Sequence, residues 1–177
     1  YERSISLDNG FSPAHYNRGA ILHSKNDLKS ARRSYENALK ANPTHSGAAW
    51  NLGLLDLIEG DYTSGWKRYE ERFKNVDFKG VYSQHPNCPQ WTGQPLPPGT
   101  KILVLHEQGL GDSIQFCRYL RLMGNLGLII SVLAPQSLHR LIQTIPGVAT
   151  VSEKISLSEG HDYYCHMMSL EIGRAHV

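Results

Sequence analysis

The stretch HEQGLGDSIQF, His106 to Phe116, gathers the residues best equipped for chemistry. It follows directly on the apolar run Ile102–Leu105 and reads as strand, tight turn and helix. Such a turn aims free backbone N–H groups outward, and Gly109 and Gly111 let a ligand approach the backbone closely. Gln108 and Gln115 supply amides that both donate and accept. Asp112, with Glu107 and His106 as second-rank candidates, supplies groups able to take a proton. The occupant of the turn could be a dinucleotide, a phosphate, a sugar or nothing.

Two of these are tested by spacing. A dinucleotide fingerprint needs a further glycine where Ile114 stands, and an acidic residue about 20 positions on, where Leu128–Leu133 has none. A phosphate-binding G-K-[ST] loop is absent as well. Both nucleotide readings fail.

The elements that must position the turn follow from the hydrophobic period. Ile102–Leu105, Leu128–Leu133, Val148–Val151 and Asp162–Cys165 read as strands, and Asp112–Met123 and the stretch around Leu138–Ile145 as helices. Alternation of this kind implies βαβ units and a parallel sheet. Ligands bind such sheets at the carboxyl ends of the strands, where the Gly109–Gly111 turn lies.

The first half carries a repeat. Tyr-Glu recurs at 1–2, 35–36 and 69–70, a spacing of 34 residues, and the same offset pairs Tyr16 with Trp50, Asn17 with Asn51, Gly19 with Gly53 and Asp27 with Asp61. Helices are expected at 13–25, 28–41, 47–59 and 62–75, with Gly19 and Gly53 allowing close approach within each pair, Ala31 and Gly65 at the close-packed site on the second helix, and Tyr1–Leu7 as the tail of an earlier unit. This resembles the tetratricopeptide repeat, a pair of antiparallel helices. Arrays of that family hold peptides or partner proteins on a concave face. Asn17 and Asn51 share one position on the first helix of each unit, an arrangement similar to the asparagine ladder of O-GlcNAc transferase. The alternative is that both are solvated helix polars.

Between the halves, residues 76–100 form a Pro/Gly-rich connector whose Pro86, Pro89, Pro95, Pro97 and Pro98 preclude a helix or a central strand. Trp91 is expected to pack there rather than to touch a ligand. The division is therefore 1–75 repeats, 76–100 connector and 101–170 partial α/β domain. Residues 171–177, EIGRAHV, look like one reading frame of a sequencing adapter, and both ends are expected to be truncated.

A formal charge of +2 gives no footprint for nucleic acid. The longest apolar run, Leu128–Ala134, is too short to span a membrane. Cys88, Cys117 and Cys165 form no C-x-x-C pair and suit a reducing, cytoplasmic setting. His161, Cys165 and His166 fit no zinc spacing, so no metal is expected.

LVLHEQGLGDSIQFCRYLRLM, IPGV and DYYCHMMSL together resemble bacterial glycosyltransferases that join tetratricopeptide repeats to a GT-B catalytic region, and more distantly the lipopolysaccharide heptosyltransferases. His166 stands where that pattern has proline and is given no role. The resemblance implies α-helical repeats followed by the start of a Rossmann-like parallel α/β domain. It also implies sugar transfer from a nucleotide sugar to a protein or glycan hydroxyl, with no cofactor. Asp112 becomes the candidate base, with helix capping as its alternative, and Gln108, Gly109, Gly111 and Gln115 become acceptor contacts. The absence of a D-x-D pair favours the metal-independent GT-B type. The donor would sit mainly on a C-terminal half beyond this chain, leaving the fragment inactive by itself. The rival reading is a non-enzymatic scaffold.

Overall fold

A computed structural model describes residues 1–74, 86–107, 109–154 and 160–171. The chain divides into two compact units, Tyr1–Gly80 and Val81–Val177.

The first unit is helical: α1 (Glu2–Leu7), α2 (Ser12–Ser24), α3 (Leu28–Ala41), α4 (Ser46–Glu59) and α5 (Tyr62–Tyr69), the last running into a 3₁₀ turn, Glu70–Lys74. The two helix pairs, α2 with α3 and α4 with α5, start their second helices alike. Asp27 accepts from the Ser30 N–H at 3.1 Å and Asp61 from the Ser64 N–H at 3.0 Å. These side-chain caps satisfy N–H groups the helix leaves unpaired. The hydrogen bonds to Ser30 and to Ser64 hold both carboxyls below the usual aspartate range.

Small residues set the spacing within each pair. A Cβ on Gly19 would lie 2.6 Å from the Tyr35 ring, and one on Gly53 would lie 2.9 Å from Arg68 Cβ and 3.0 Å from the Gly65 carbonyl. Tyr35 and Tyr69 are both buried, and each sits beside the aromatic residue at the matching place on the preceding helix. Tyr16 lies 6.1 Å from Tyr35 and Trp50 lies 6.5 Å from Tyr69, centroid to centroid. Around Tyr35 the core is Ala31 and Ala38 of α3 with Ala48, Leu52 and Leu55 of α4. Gly19→Ala is expected to destabilise the unit by about 1–3 kcal/mol through overpacking. That outweighs the roughly 1 kcal/mol by which a helix prefers alanine. A urea titration of the variant checks it, and an unchanged midpoint would refute the close contact.

The last helix departs from expectation. The pattern predicts a helix over 62–75, but α5 ends at Tyr69. The cause is Arg72, fully buried, with its guanidinium 4.6 Å from the Tyr69 ring centroid and 4.0 Å from that of Phe73. Its Nη1 donates to the Tyr69 carbonyl at 3.3 Å and to Glu70 Oε1 at 2.5 Å. Those bonds draw the chain into a tighter turn than an α-helix makes.

The second unit holds β1 (Lys101–Leu105), α6 (Leu110–Phe116), α7 (Arg118–Asn125), β2 (Ile129–Leu133), α8 (Gln136–Ile142), β3 (Val148–Ser152) and β4 (Tyr163–His166). The strands form a parallel sheet in the order β3-β2-β1-β4. β1 is central, and its residues Ile102–Leu105 are all buried. The single helix expected over Asp112–Met123 is two helices meeting at Cys117, whose Sγ–H donates to the Ile114 carbonyl at 3.1 Å. The proline-rich connector contributes a short extended segment. The Trp91 N–H donates to the Tyr164 carbonyl at 2.7 Å, and the Tyr164 N–H to the Pro89 carbonyl at 3.0 Å. Prolines forbid a central strand but tolerate an edge, and Pro89–Trp91 lies beside β4 in that way. Trp91 is buried, with Nε1–H donating to the Gln94 carbonyl at 2.7 Å. Residues 172–177, and with them most of the suspected adapter tail, lie outside the described residues.

Candidate functional site

The order β3-β2-β1-β4 puts a change of winding direction between β1 and β4. Chain leaving β1 crosses to β2 on one side, while β4 pairs on the other. Doubly wound sheets open a crevice at such a point, beyond the carboxyl ends of the strands. His106, Glu107 and the residues Gly109 to Asp112 stand at that end of β1.

Gly109 is the residue preceding α6, with extended backbone at φ −68° and ψ 160°. Neither Gly109 nor Gly111 has a positive φ. Among the described residues, a Cβ on Gly111 would meet nothing within 4 Å, and one on Gly109 would meet only Asp112 Oδ2, at 3.5 Å. Neither a positive φ nor crowding among those residues therefore calls for glycine here. Gln108 lies outside the described residues.

Asp112 is the third residue of α6, which starts two residues before the expected position. The residue is half-buried in the first turn of α6, where a carboxylate also complements the positive end of the helix, as its capping alternative has it. Gln115, one turn on, is exposed and shares its helix face.

Sequence reading missed the partner of His106. Ser113 is buried, and its Oγ lies 2.5 Å from His106 Nδ1. Burial pushes the His106 imidazole below its usual range, against the opposing pull of the Asp112 charge. A neutral imidazole and a carboxylate thus share the mouth of the turn. The folded chain resists a proton that the unfolded chain accepts, so His106 costs stability as pH falls below its ordinary value of about 6.5. Denaturant midpoints at about pH 5 and 7 should therefore differ less in His106→Gln than in the unsubstituted chain. An equal difference in both would remove His106 from that role.

Glu107 is a different case. Its side chain is fully buried, Oε2 accepts from the Met168 N–H at 2.9 Å, and Oε1 lies 3.7 Å from His166 Nδ1. It ties the end of β1 to the end of β4 and is closed to substrate, which corrects its reading as a candidate base. His166, given no role from sequence, is the other half of that tie. Among the described residues no cluster of three or more His, Cys, Asp or Glu is placed to hold a metal, and Cys88 and Cys117 are free thiols.

In the first unit Asn17 is half-buried and Asn51 is 8% exposed. Neither side-chain amide has a hydrogen-bond partner among the described residues, which leaves donor and acceptor available to a peptide backbone.

Residues 12–45 match the tetratricopeptide repeat. Those residues are α2, α3 and the turn that follows. Arrays of this repeat present extended concave binding surfaces, and a protein-interaction scaffold is the role the helical unit suits. The chain is also similar to Protein FlbA of Caulobacter vibrioides, with 28% identity over 127 residues, 68% of this chain and 20% of the relative. That span is longer than the first unit, so the likeness reaches into the α/β unit. The match takes in about a fifth of the relative's length. Among the described residues no helix is long and apolar enough to cross a membrane.

One further residue escaped sequence reading. Asp56, 4% exposed within the apolar run of α4, binds both Arg32 of α3, at 2.8 Å, and Arg68 of α5. It clamps three helices together. A lone carboxylate among leucines was the available signal.

Proposed function

We propose that the chain is the acceptor-side part of a GT-B glycosyltransferase, in which the repeats bind the acceptor or a partner protein and the β1–α6 turn receives the hydroxyl to be glycosylated. The observation that carries this is the half-buried Asp112 beside His106, at a turn whose glycines no contact among the described residues requires. Attack by a hydroxyl on an anomeric carbon needs its proton removed as the bond forms, and a carboxylate within about 3 Å can do so. Asp112 is the base in this reading. Gln115 and Gln108 bind acceptor hydroxyls, and Gly109 and Gly111 leave room for the sugar ring. The nucleotide sugar is held by a further domain, so the chain alone does not turn over. Asn17 and Asn51 hold the backbone of a bound peptide.

Titrating the isotope-labelled chain with simple glycosides tests the acceptor side. Amide shifts gathered on residues 106–115 support it, whereas shifts confined elsewhere, or none, overturn it.

The rival role, a scaffold without catalysis, draws on the repeat match and on the unpartnered asparagines, neither of which needs the α/β unit.

A further inference from the structure

Within the first unit, α5 and the turn between α3 and α4 enclose an open groove of about 720 Å³. We propose that this groove binds an acidic peptide segment, on a face separate from the one bearing the asparagines. Its position is set by α4. Ala49 lines the groove, and Asn51, two residues on, projects about 200° round the same helix.

Charge identifies the occupant. Lys67, Arg68 and Lys74 line the groove against one carboxylate, Glu71. Glu71 is engaged by Lys74 at 2.7 Å, and Arg68 is drawn back onto the buried Asp56. Lys67 is exposed and has no carboxylate partner among the described residues. Its neighbour across the groove is His45, whose Nδ1 accepts from the Ala48 N–H at 3.2 Å. That bond leaves the Nε2–H as a donor. The wall thus offers one unspent ammonium, a second shared with a surface carboxylate that an incoming acid can replace, and an imidazole N–H. A run of carboxylates on an extended chain complements this set. A volume in the usual range for ligand sites, about 300–1,000 Å³, leaves room for several side chains. The chain's small net charge gives a nucleic-acid backbone no wider basic surface to follow.

The test is fluorescence anisotropy with the whole 177-residue chain and a labelled peptide of alternating Glu and Ala, about ten residues long, enough to cross the groove at about 3.3 Å per residue. The same peptide with Gln for Glu serves as control, together with a single-stranded oligonucleotide. Binding of the Glu peptide alone is expected, weakening as ionic strength rises from about 0.05 to 0.5 M. Lys67→Gln with Lys74→Gln, both at exposed positions, should lower that affinity about three- to thirtyfold. Circular dichroism should show the fold unchanged, and Lys25→Gln, an exposed lysine outside the groove lining, should leave the affinity as it was. The proposal is overturned if the Gln peptide binds equally, if neither peptide binds, or if the oligonucleotide binds more tightly. Loss of binding in Asn51→Ala with none in the lysine pair would overturn it too, by moving the site to the asparagine face.

Discussion

Replacing Asp112 by asparagine in the complete gene product is expected to lower sugar turnover by about 10²–10⁴-fold, the range of a lost general base. The substitution keeps size and shape and removes only basicity. Asp112 lies in the first turn of α6 and asparagine gives up only its charge there, so the change in stability should stay within about 1 kcal/mol, the scale of a helix-dipole interaction. Substrate affinity should change little, so the loss falls on kcat. Steady-state kinetics and a melting curve on the same preparation separate the two roles. Full turnover in Asp112→Asn would strike the residue from the mechanism. A large fall in stability would make it structural.

The largest stability effect belongs to Tyr35. Its ring is 1% exposed and fills the space left by Gly19, with Tyr16 and His23 alongside. Truncation to alanine empties that space and should cost about 3–5 kcal/mol, much of the 5–15 kcal/mol typical of a whole domain. Tyr35→Phe keeps the ring and gives up only a hydroxyl contact of 3.5 Å to His23 Nδ1, so its cost should stay below about 1 kcal/mol. Burial also pushes the Tyr35 hydroxyl up to about 12 from 10.0. The unfolded chain therefore ionises first. Stability is full below pH 10.0 and is lost as pH climbs toward about 12. Tyr35→Phe should lose that share of the pH dependence. Chemical denaturation of both variants checks these effects, and a mild phenotype in Tyr35→Ala would contradict the packing described.

Close packing explains why the repeat could be read in advance. Gly19 tolerates no Cβ because Tyr35 lies against it, so one contact constrains two positions and the period of 34 carries both forward to Gly53 and Tyr69. The caps at Asp27 and Asp61 are equally local, each reaching only three residues along the chain. The parallel sheet followed from the change of hydrophobic period, and the position of the Gly109–Gly111 turn from the strand before it.

What escaped prediction depends on groups far apart in sequence. The 3₁₀ ending of α5 follows from Arg72 sinking between two rings, whereas a single sequence shows only an arginine in a helical pattern. Glu107 had the look of a candidate base until the Met168 N–H, 61 residues away, claimed it. His106 and Ser113 meet because the chain reverses between them, a fact no periodicity encodes. The connector was legible by exclusion alone. Its prolines ruled out a central strand but gave no sign that Tyr164 would take Pro89 and Trp91 at the sheet edge.

The most direct test of the sugar-transfer account is to incubate the complete gene product with a panel of labelled nucleotide sugars and its own protein or glycan fraction. The readouts are released nucleoside diphosphate and label carried into acceptor. The account predicts transfer from at least one donor, abolished by Asp112→Asn and absent from the 177-residue chain alone. A folded complete product that captures a protein partner through its repeats, yet neither transfers nor hydrolyses any donor, would contradict it and leave the scaffold in its place.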